Sequence, residues 1–273
     1  VGRGQKMSES PVKKYALSKG IPVLQPEKLK NKAFLEELAG YKADLQVVVA
    51  FRMLPEAVWA MPKMGTINLH GSLLPQYRGA APINWAVING ETITGVTTFF
   101  IEKEIDTGNI IFSENIEIKA TDTSGDLHDR MMWIGGDLMV KTVKAIASGV
   151  YPSVKQDFSQ ELKPAPKIFK ETCKIDWEKD SKTIYDFVRG LSPYPAAWTT
   201  LDGKVLKIFE TEIVNEEFPD MDNQAFEDFT LKTDHKKQLL IQTSNGHLAI
   251  KSLQLEGKKR MTTDEFLRGY RFQ

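Results

Sequence analysis

In 273 residues the chain contains one cysteine, Cys173. That excludes an internal disulfide framework and any cysteine-ligated metal cluster, and it points to a reducing compartment. Excess charge is missing too: 36 Lys and Arg stand against 36 Asp and Glu, for a formal net charge of +0. A protein that grips nucleic acid over a whole face carries a strong positive balance, so such a partner has to be met by local patches. No apolar run approaches the ~18 residues needed to span a bilayer, and no signal peptide precedes the first motif. Nucleotide fingerprints fail as well, because Met7 stands where the third glycine of a Gly2-Arg3-Gly4 dinucleotide loop belongs and no Walker motif occurs. His128, His235 and His247 have no metal-binding spacing. The expectation is a cytoplasmic, monomeric, globular protein without a metal or a membrane partner. Its first residue, Val1, opens on the loop-like run VGRGQKMSESP, which looks like an interior position of a longer polypeptide.

A hydrophobic content of 41% suffices for one large domain or two ordinary ones. From Ser10 to about Val150, short apolar runs alternate with amphipathic stretches. PVKKYALSKG reads as a helix with Pro11 in its first turn, IPVL as a short strand, and KAFLEELAGY as a second helix. DLQVVVAF reads as a strand covered on both faces, PEAVWAM as a short helix and GTINLH as the next strand. This alternation predicts an α/β layer on a mainly parallel sheet. TGVTTFFIEK and NIIFSENIEI read as strands flanking EIDTG, and a long helix follows from a Thr/Ser/Asp cap near residue 123. Residues 150–168 have the proline-rich, aperiodic composition of a linker. After it, DSKTIYDFVRGL reads as a helix, and short strands with DG and NG turns predict a small closed β-structure ending in the helix TTDEFLRGYR. The acidic run from Glu210 to Asp228 reads as a solvated loop.

The chemistry concentrates in NLHGSLLPQYRGAAPINW. Asn68 and His70 lie two residues apart on a strand and so share a face, at the carboxyl end where open α/β sheets place their ligand crevices. An amide and an imidazole meeting at one point stabilise an oxygen that gains negative charge. Asp106, in a turn after the next long strand, is placed to orient the imidazole and favour its protonated form. With no Ser or Cys nucleophile assigned, such a trio fits direct acyl transfer without a covalent intermediate. Residue type alone leaves the bland reading open: Asn-x-His as a cap or turn, Asp106-Thr107-Gly108 as an Asx turn, Arg78 as a surface charge.

The full strings narrow the choice. NLHGSLLPQYRGAAPINWAVINGE followed by GVTTFFIEKEIDTGNII resembles the formyltransferases that use 10-formyltetrahydrofolate. KIDWEKDSKTIYDFVRGLSPYPAAWT resembles the start of that family's second domain. LEGKKRMTTDEFLRGY and the opening GRGQKMSESPVKKYALSKGIPVLQPEKL resemble the branch whose acceptor is methionine esterified to initiator tRNA. The resemblance implies a Rossmann-like α/β domain over residues 1–149, a linker over 150–168 and an OB-like β-barrel domain that binds tRNA over 169–273. It implies a catalytic trio of Asn68, His70 and Asp106. For 10-formyltetrahydrofolate it implies contacts from Ser72, Leu73, Leu74 and Pro75, with Arg52, Met53 and Leu54 at the pterin pocket's edge. For tRNA it implies Arg3, and the basic patches at the two ends of the chain add Lys6, Lys258, Lys259 and Arg260. The charge pattern agrees, since Arg3, Lys6, Lys13, Lys14 and Lys19 face a single acid, Glu9, in residues 1–20. Members of the family begin with a strand, a turn and a helix that would stand before Val1. Rival readings that keep the trio are a formyltransferase acting on an amino sugar or a purine precursor, and a hydrolase of the formyl donor. A third rival is a non-catalytic RNA-binding protein with the same fold.

Overall fold

A computed structural model describes residues 9–49, 53–216 and 220–272. The described chain forms two units, one comprising residues 9–46 and 53–65, the other 47–49 and 66–272.

In the first unit, helix α1 (Pro11–Ser18) starts where the Ser10 side chain accepts from Lys13 N, with Pro11 in the first turn as expected. Helix α2 (Lys32–Gly40) is capped by Asn31, whose side chain accepts from the amides of Ala33 and Phe34. Every residue of both helices keeps some exposure, and Val12, Tyr15 and Leu17 are largely exposed. IPVL forms no strand. A strand needs a ladder partner, Pro22 has no N–H to offer one, and Val23 and Leu24 instead help line a cavity of about 640 Å³ with Phe34.

Strand β1 (Gln46–Val49) begins the sheet that positions the site; Ala50 and Phe51, also expected in that strand, lie outside the described residues. Helix α3 (Glu56–Trp59), which belongs to the first unit, is a single turn with Val58 buried. Strands β2 (Thr66–His70), β3 (Ile93–Phe100) and β4 (Ile110–Glu117) complete the order β1-β2-β3-β4, with helix α4 (Pro82–Ile88) between β2 and β3 in sequence. The β2–β3 and β3–β4 ladders are both antiparallel, against the mainly parallel expectation. Alternation misleads here because α4 packs against a later helix, and β3 returns along β2 to pair Thr97 with His70.

Helix α5 (Ser124–Ser148) starts in the expected Thr123/Asp126 capping box and ends at Gly149, whose φ of 72° suits glycine. It lies on β3 and β4 and touches β2 at one close point: a Cβ on Gly135 would stand 2.7 Å from Leu69 Cδ2. Thr98 of β3 and Thr142 of α5 share a buried hydrogen bond.

Beyond residue 170 the chain forms helix α6 (Ser181–Leu191), capped by Asp180, and a curled antiparallel sheet. Its strands are β5 (Ala197–Leu201), β6 (Lys204–Val214), β7 (Asp222–Ala225), β8 (Thr230–Thr233), β9 (Leu239–Thr243) and β10 (Gly246–Leu255), in the order β5-β6-β10-β9-β8-β7. Strand β11 (Met261–Thr262) pairs with β10, and helix α7 (Thr263–Gly269) closes the fold. The barrel-like sheet encloses its own core, including Trp177, Ile184, Leu206, Ile241 and Phe266. The acidic run is therefore not one loop: its start lies in β6, where Thr211 is buried, and Asp222–Ala225 pairs with β8. Its carboxylates are spread along it: Glu210 and Glu212 stand on β6, and Asp222 alone stands on β7, the last strand of that sheet, where charge discourages further pairing. Residues 217–219 lie outside the described set.

The two sheet systems are joined through α4, α5 and α6. Asn84 donates to the Gly190 carbonyl at 2.8 Å, and Gly190 sits so close to Ile88 that a Cβ would meet Ile88 N at 2.8 Å. Arg189, buried, pairs with Asp186 at 2.7 Å and donates to the Asp122 carbonyl at 2.9 Å.

Candidate active site

Strand β2 carries Asn68, 3% exposed, and His70, 7% exposed, two residues apart and therefore on one face. Leu69 points to the other face, under Gly135 of α5. Burying two polar side chains at a strand end is unfavourable unless they are paired, and His70 is paired. Its Nε2 lies 2.8 Å from the Tyr77 carbonyl oxygen. A carbonyl only accepts, so Nε2 carries a proton in either charge state and Nδ1 is the nitrogen left to gain or lose one. Nδ1 faces Asp106 Oδ2 at 3.8 Å, beyond direct hydrogen-bond length but well inside electrostatic range.

Asp106 reaches this position through an uncommon backbone. Its φ is 55°, in the left-handed region, and its Oδ2 accepts from the Gly79 amide at 3.1 Å. Gly79 itself has φ 128° and lies so near Ala165 that a Cβ would meet that carbonyl oxygen at 2.4 Å. Gly108 closes the turn because a Cβ there would collide with the Phe100 carbonyl at 1.8 Å. The turn after β3 and the loop after β2 thus meet at Asp106 and Gly79. Beside them opens a cavity of about 380 Å³, lined among others by Pro75, Arg78, Ile105, Thr107, Leu162 and Lys163.

The loop after β2 is internally braced. Ser72 is fully buried; its hydroxyl donates to the Gln76 carbonyl at 2.6 Å and its own carbonyl accepts from Thr97 Oγ1 at 2.7 Å. Leu73 packs on Gly95, Leu74 is buried, and Pro75 reaches the cavity. Tyr77, φ 57°, donates its hydroxyl to Glu91 at 2.5 Å, and Lys163 reaches the same carboxylate at 2.5 Å. Burial, reinforced by the bond to Glu91, pushes the Tyr77 phenol above its ordinary value. Burial also pushes the Glu91 carboxyl up, but the hydrogen bonds from Lys163 and Tyr77 outweigh it and hold it below its usual range.

A strap of chain from 154 to 166 runs over both loops. Val154 pairs with Ile110, and Gln156 donates to the carbonyls of Asp106 and Gly108. The Arg78 guanidinium lies 4.7 Å over the Phe158 ring. Gln76 Nε2 donates to the Glu161 carbonyl at 3.0 Å, Tyr77 N to the Lys163 carbonyl at 2.7 Å, and Ala165 N to the Arg78 carbonyl at 2.9 Å. Sequence reading missed Tyr77 and Gln156. Tyr77 acts through its backbone, which any residue supplies, and Gln156 sits in a proline-rich stretch with no periodicity to mark it.

Met53 is 77% exposed and Leu54 partly buried, both in the first unit. Arg3, Lys6 and Arg52 lie outside the described residues. Lys258 and Lys259 are exposed, while Arg260 folds back to donate to Ser252 Oγ at 2.8 Å with its guanidinium 4.4 Å over the Phe209 ring. Among the described residues no cluster of His, Cys, Asp and Glu could hold a metal, and no helix is long and apolar enough to cross a membrane.

Comparison with known proteins matches residues 1–143 to the family described as formyl transferase and residues 167–271 to the formyl transferase C-terminal domain. The methionyl-tRNA formyltransferase of Bacteroides thetaiotaomicron is 54% identical over 278 residues, covering 99% of this chain and 84% of that protein. Among solved structures, HypX from Aquifex aeolicus, crystallised with tetrahydrofolic acid, is 21% identical with a TM-score of 0.62. The likeness covers 87% of this chain and 41% of that one, so this chain spans less than half of HypX. The sugar 3N-formyl transferase WlaRD, solved with dTDP and 5-N-formyl-THF, is 22% identical with a TM-score of 0.62, covering 91% of this chain and 82% of that one.

Proposed function

The chain belongs to the formyl transferase family, and from that premise we propose that it moves the formyl group of 10-formyltetrahydrofolate to the α-amine of methionine esterified to initiator tRNA. The acceptor rests on the relative named for methionyl-tRNA, 54% identical over nearly the whole chain. The chemistry rests on one observation: a buried imidazole and carboxylate, 3.8 Å apart, at the end of β2. The same reading assigns residues 1–149 to catalysis, 150–168 to a connection and 169–273 to tRNA binding, in the cytoplasm. The separate core of the second sheet supports setting its domain apart, while Ala165 of the connection packs into the first core.

The formyl donor supplies an acyl group on a nitrogen leaving group. The cavity of about 380 Å³ beside Asp106 is within the range of small-molecule sites, which fits such a donor. In this reading Pro75 of the loop lines the donor's cavity, and Ser72, Leu73 and Leu74 shape the loop behind it. Arg52, Met53 and Leu54 keep their folate assignment on the resemblance alone.

The acceptor amine needs little activation. A free α-amino group has a pKa of about 7.7–8.0, and esterification of the carboxyl lowers it further, so much of it is neutral near pH 7. The demanding steps are holding the charge on the carbonyl oxygen and moving protons. Asn68 offers an amide N–H to that oxygen, and protonated His70 offers Nδ1–H, because Nε2–H is already committed to Tyr77. Asp106 balances the imidazolium and relays the proton that the amine releases to N10 of the folate, as the new C–N bond forms and the C–N10 bond breaks. Arg3, Lys6, Lys258, Lys259 and Arg260 meet phosphates of the tRNA. The test is to supply the protein with labelled 10-formyltetrahydrofolate and methionyl-initiator tRNA and to locate the label. Formylmethionine on tRNA is the expected product. Free formate, or formylation of an amino sugar in place of the tRNA, would replace this reading.

A further inference from the structure

Gln156 belongs to the strap, not to either loop of the site, yet it is only 4% exposed and its amide points at the turn that carries Asp106. Nε2 donates to the Asp106 carbonyl at 2.9 Å and to the Gly108 carbonyl at 2.8 Å, which uses both of its protons. The other end of the amide, Oε1, is buried with no partner among the described residues. A buried acceptor left unpaired is uncommon and calls for an explanation. The two facing carbonyls provide one: a flipped amide would set oxygen against oxygen, so the orphaned end is the consequence of clamping the turn.

The clamp matters because of where it sits. Asp106 is held at φ 55°, a conformation a non-glycine residue keeps only when its surroundings fix it. Its carboxylate has the Gly79 amide at 3.1 Å and His70 at 3.8 Å, while the Gln156 amide holds its carbonyl from behind. The same strap accepts Tyr77 N at the Lys163 carbonyl, and the Tyr77 carbonyl in turn fixes the His70 ring. We infer that Gln156 is a positioning residue for formyl transfer, setting the distance between Asp106 and His70 through the backbone of the turn. This rests on the functional reading above.

The test is Gln156→Met, which keeps the side chain's length and removes both donors and the orphaned acceptor together. Small displacements of reacting groups lower rates steeply, so kcat should fall by roughly 10- to 100-fold, with KM for both substrates within about twofold. In an Asp106→Asn background Gln156→Met should lower kcat no further, because the residue acts only through Asp106. A Gln156→Met protein within twofold of wild-type kcat, or a loss that multiplies with that of Asp106→Asn, would overturn the proposal. Gln156→Ala serves as the second variant; if both variants lose the folded state by circular dichroism, Gln156 belongs to the fold and the proposal also fails. Absence of transfer by the wild-type protein is a separate result, which removes the functional reading itself.

Discussion

Asn68 and His70 divide one task between an amide that cannot change charge and an imidazole that can. The removal of one donor to a developing oxyanion typically slows a reaction by roughly 10²–10³. Asn68→Ala should therefore show a loss of that size in kcat while KM for the formyl donor stays close to wild type. An unchanged kcat would remove Asn68 from the oxyanion and leave it a strand-end residue. The i, i+2 spacing of this pair was readable before any coordinates, since strand periodicity alone puts both on one face. Their environment was not. The group that fixes the His70 proton is a backbone carbonyl, and the buried Ser72 hydroxyl closes its own loop; nothing in residue type tells a loop-closing serine from one that meets a ligand.

Among the elements, α5 was the most legible because its start is written in side chains. Thr123 caps Asp126 N while Asp126 accepts from the Thr123 amide. Thr123→Ala should lower stability by about 1 kcal/mol, read from denaturant midpoints at unchanged slope, with activity per folded molecule unaltered. The antiparallel course of β2, β3 and β4 was less legible. Strand–helix alternation reports order along the chain, whereas direction depends on where α4 packs, and that is settled by its contact with α6. The same limit explains IPVL, whose apolar residues line a cavity instead of joining a ladder.

At the scale of the whole molecule, neutrality hides two kinds of charge. One kind is spent internally. Arg130 grips Asp122 at 2.5 Å, and that hydrogen bond, against the opposing effect of burial, holds the Asp122 carboxyl below its usual range. A depressed folded-state value means the pair stabilises above the unfolded carboxylate value of about 3.9 and loses that contribution as pH falls through the lower one. Asp122→Asn should thus cost about 1.5–3 kcal/mol near pH 6, and the gap to wild type should close as pH falls through the depressed folded-state value. A gap that persists undiminished in acid would show that packing, not charge, was lost. The other kind faces solvent at Lys258 and Lys259. If these meet tRNA phosphates, KM for the tRNA rises with salt, and Lys258→Ala with Lys259→Ala flattens that log–log dependence by about 1 for each lysine. Equal salt slopes would move the contact elsewhere. The second sheet's barrel-like form followed from turn spacing, but its charge economy did not, because only folding decides which lysines find a carboxylate.

The strap over the site, 154–166, lies within the stretch between the two family matches, 144–166. A dissection of the protein at the obvious seam, near residue 150, would sever Gln156, Lys163 and Ala165 from the loops they hold. The severed portion would keep Asn68, His70 and Asp106 in its covalent chain and lose the brace that aligns them. For anyone excising the front half, the natural cut lies past Pro166, whose carbonyl receives the Trp85 indole at 2.8 Å. What composition marks as a tether between modules is, mechanically, the last piece of the first one.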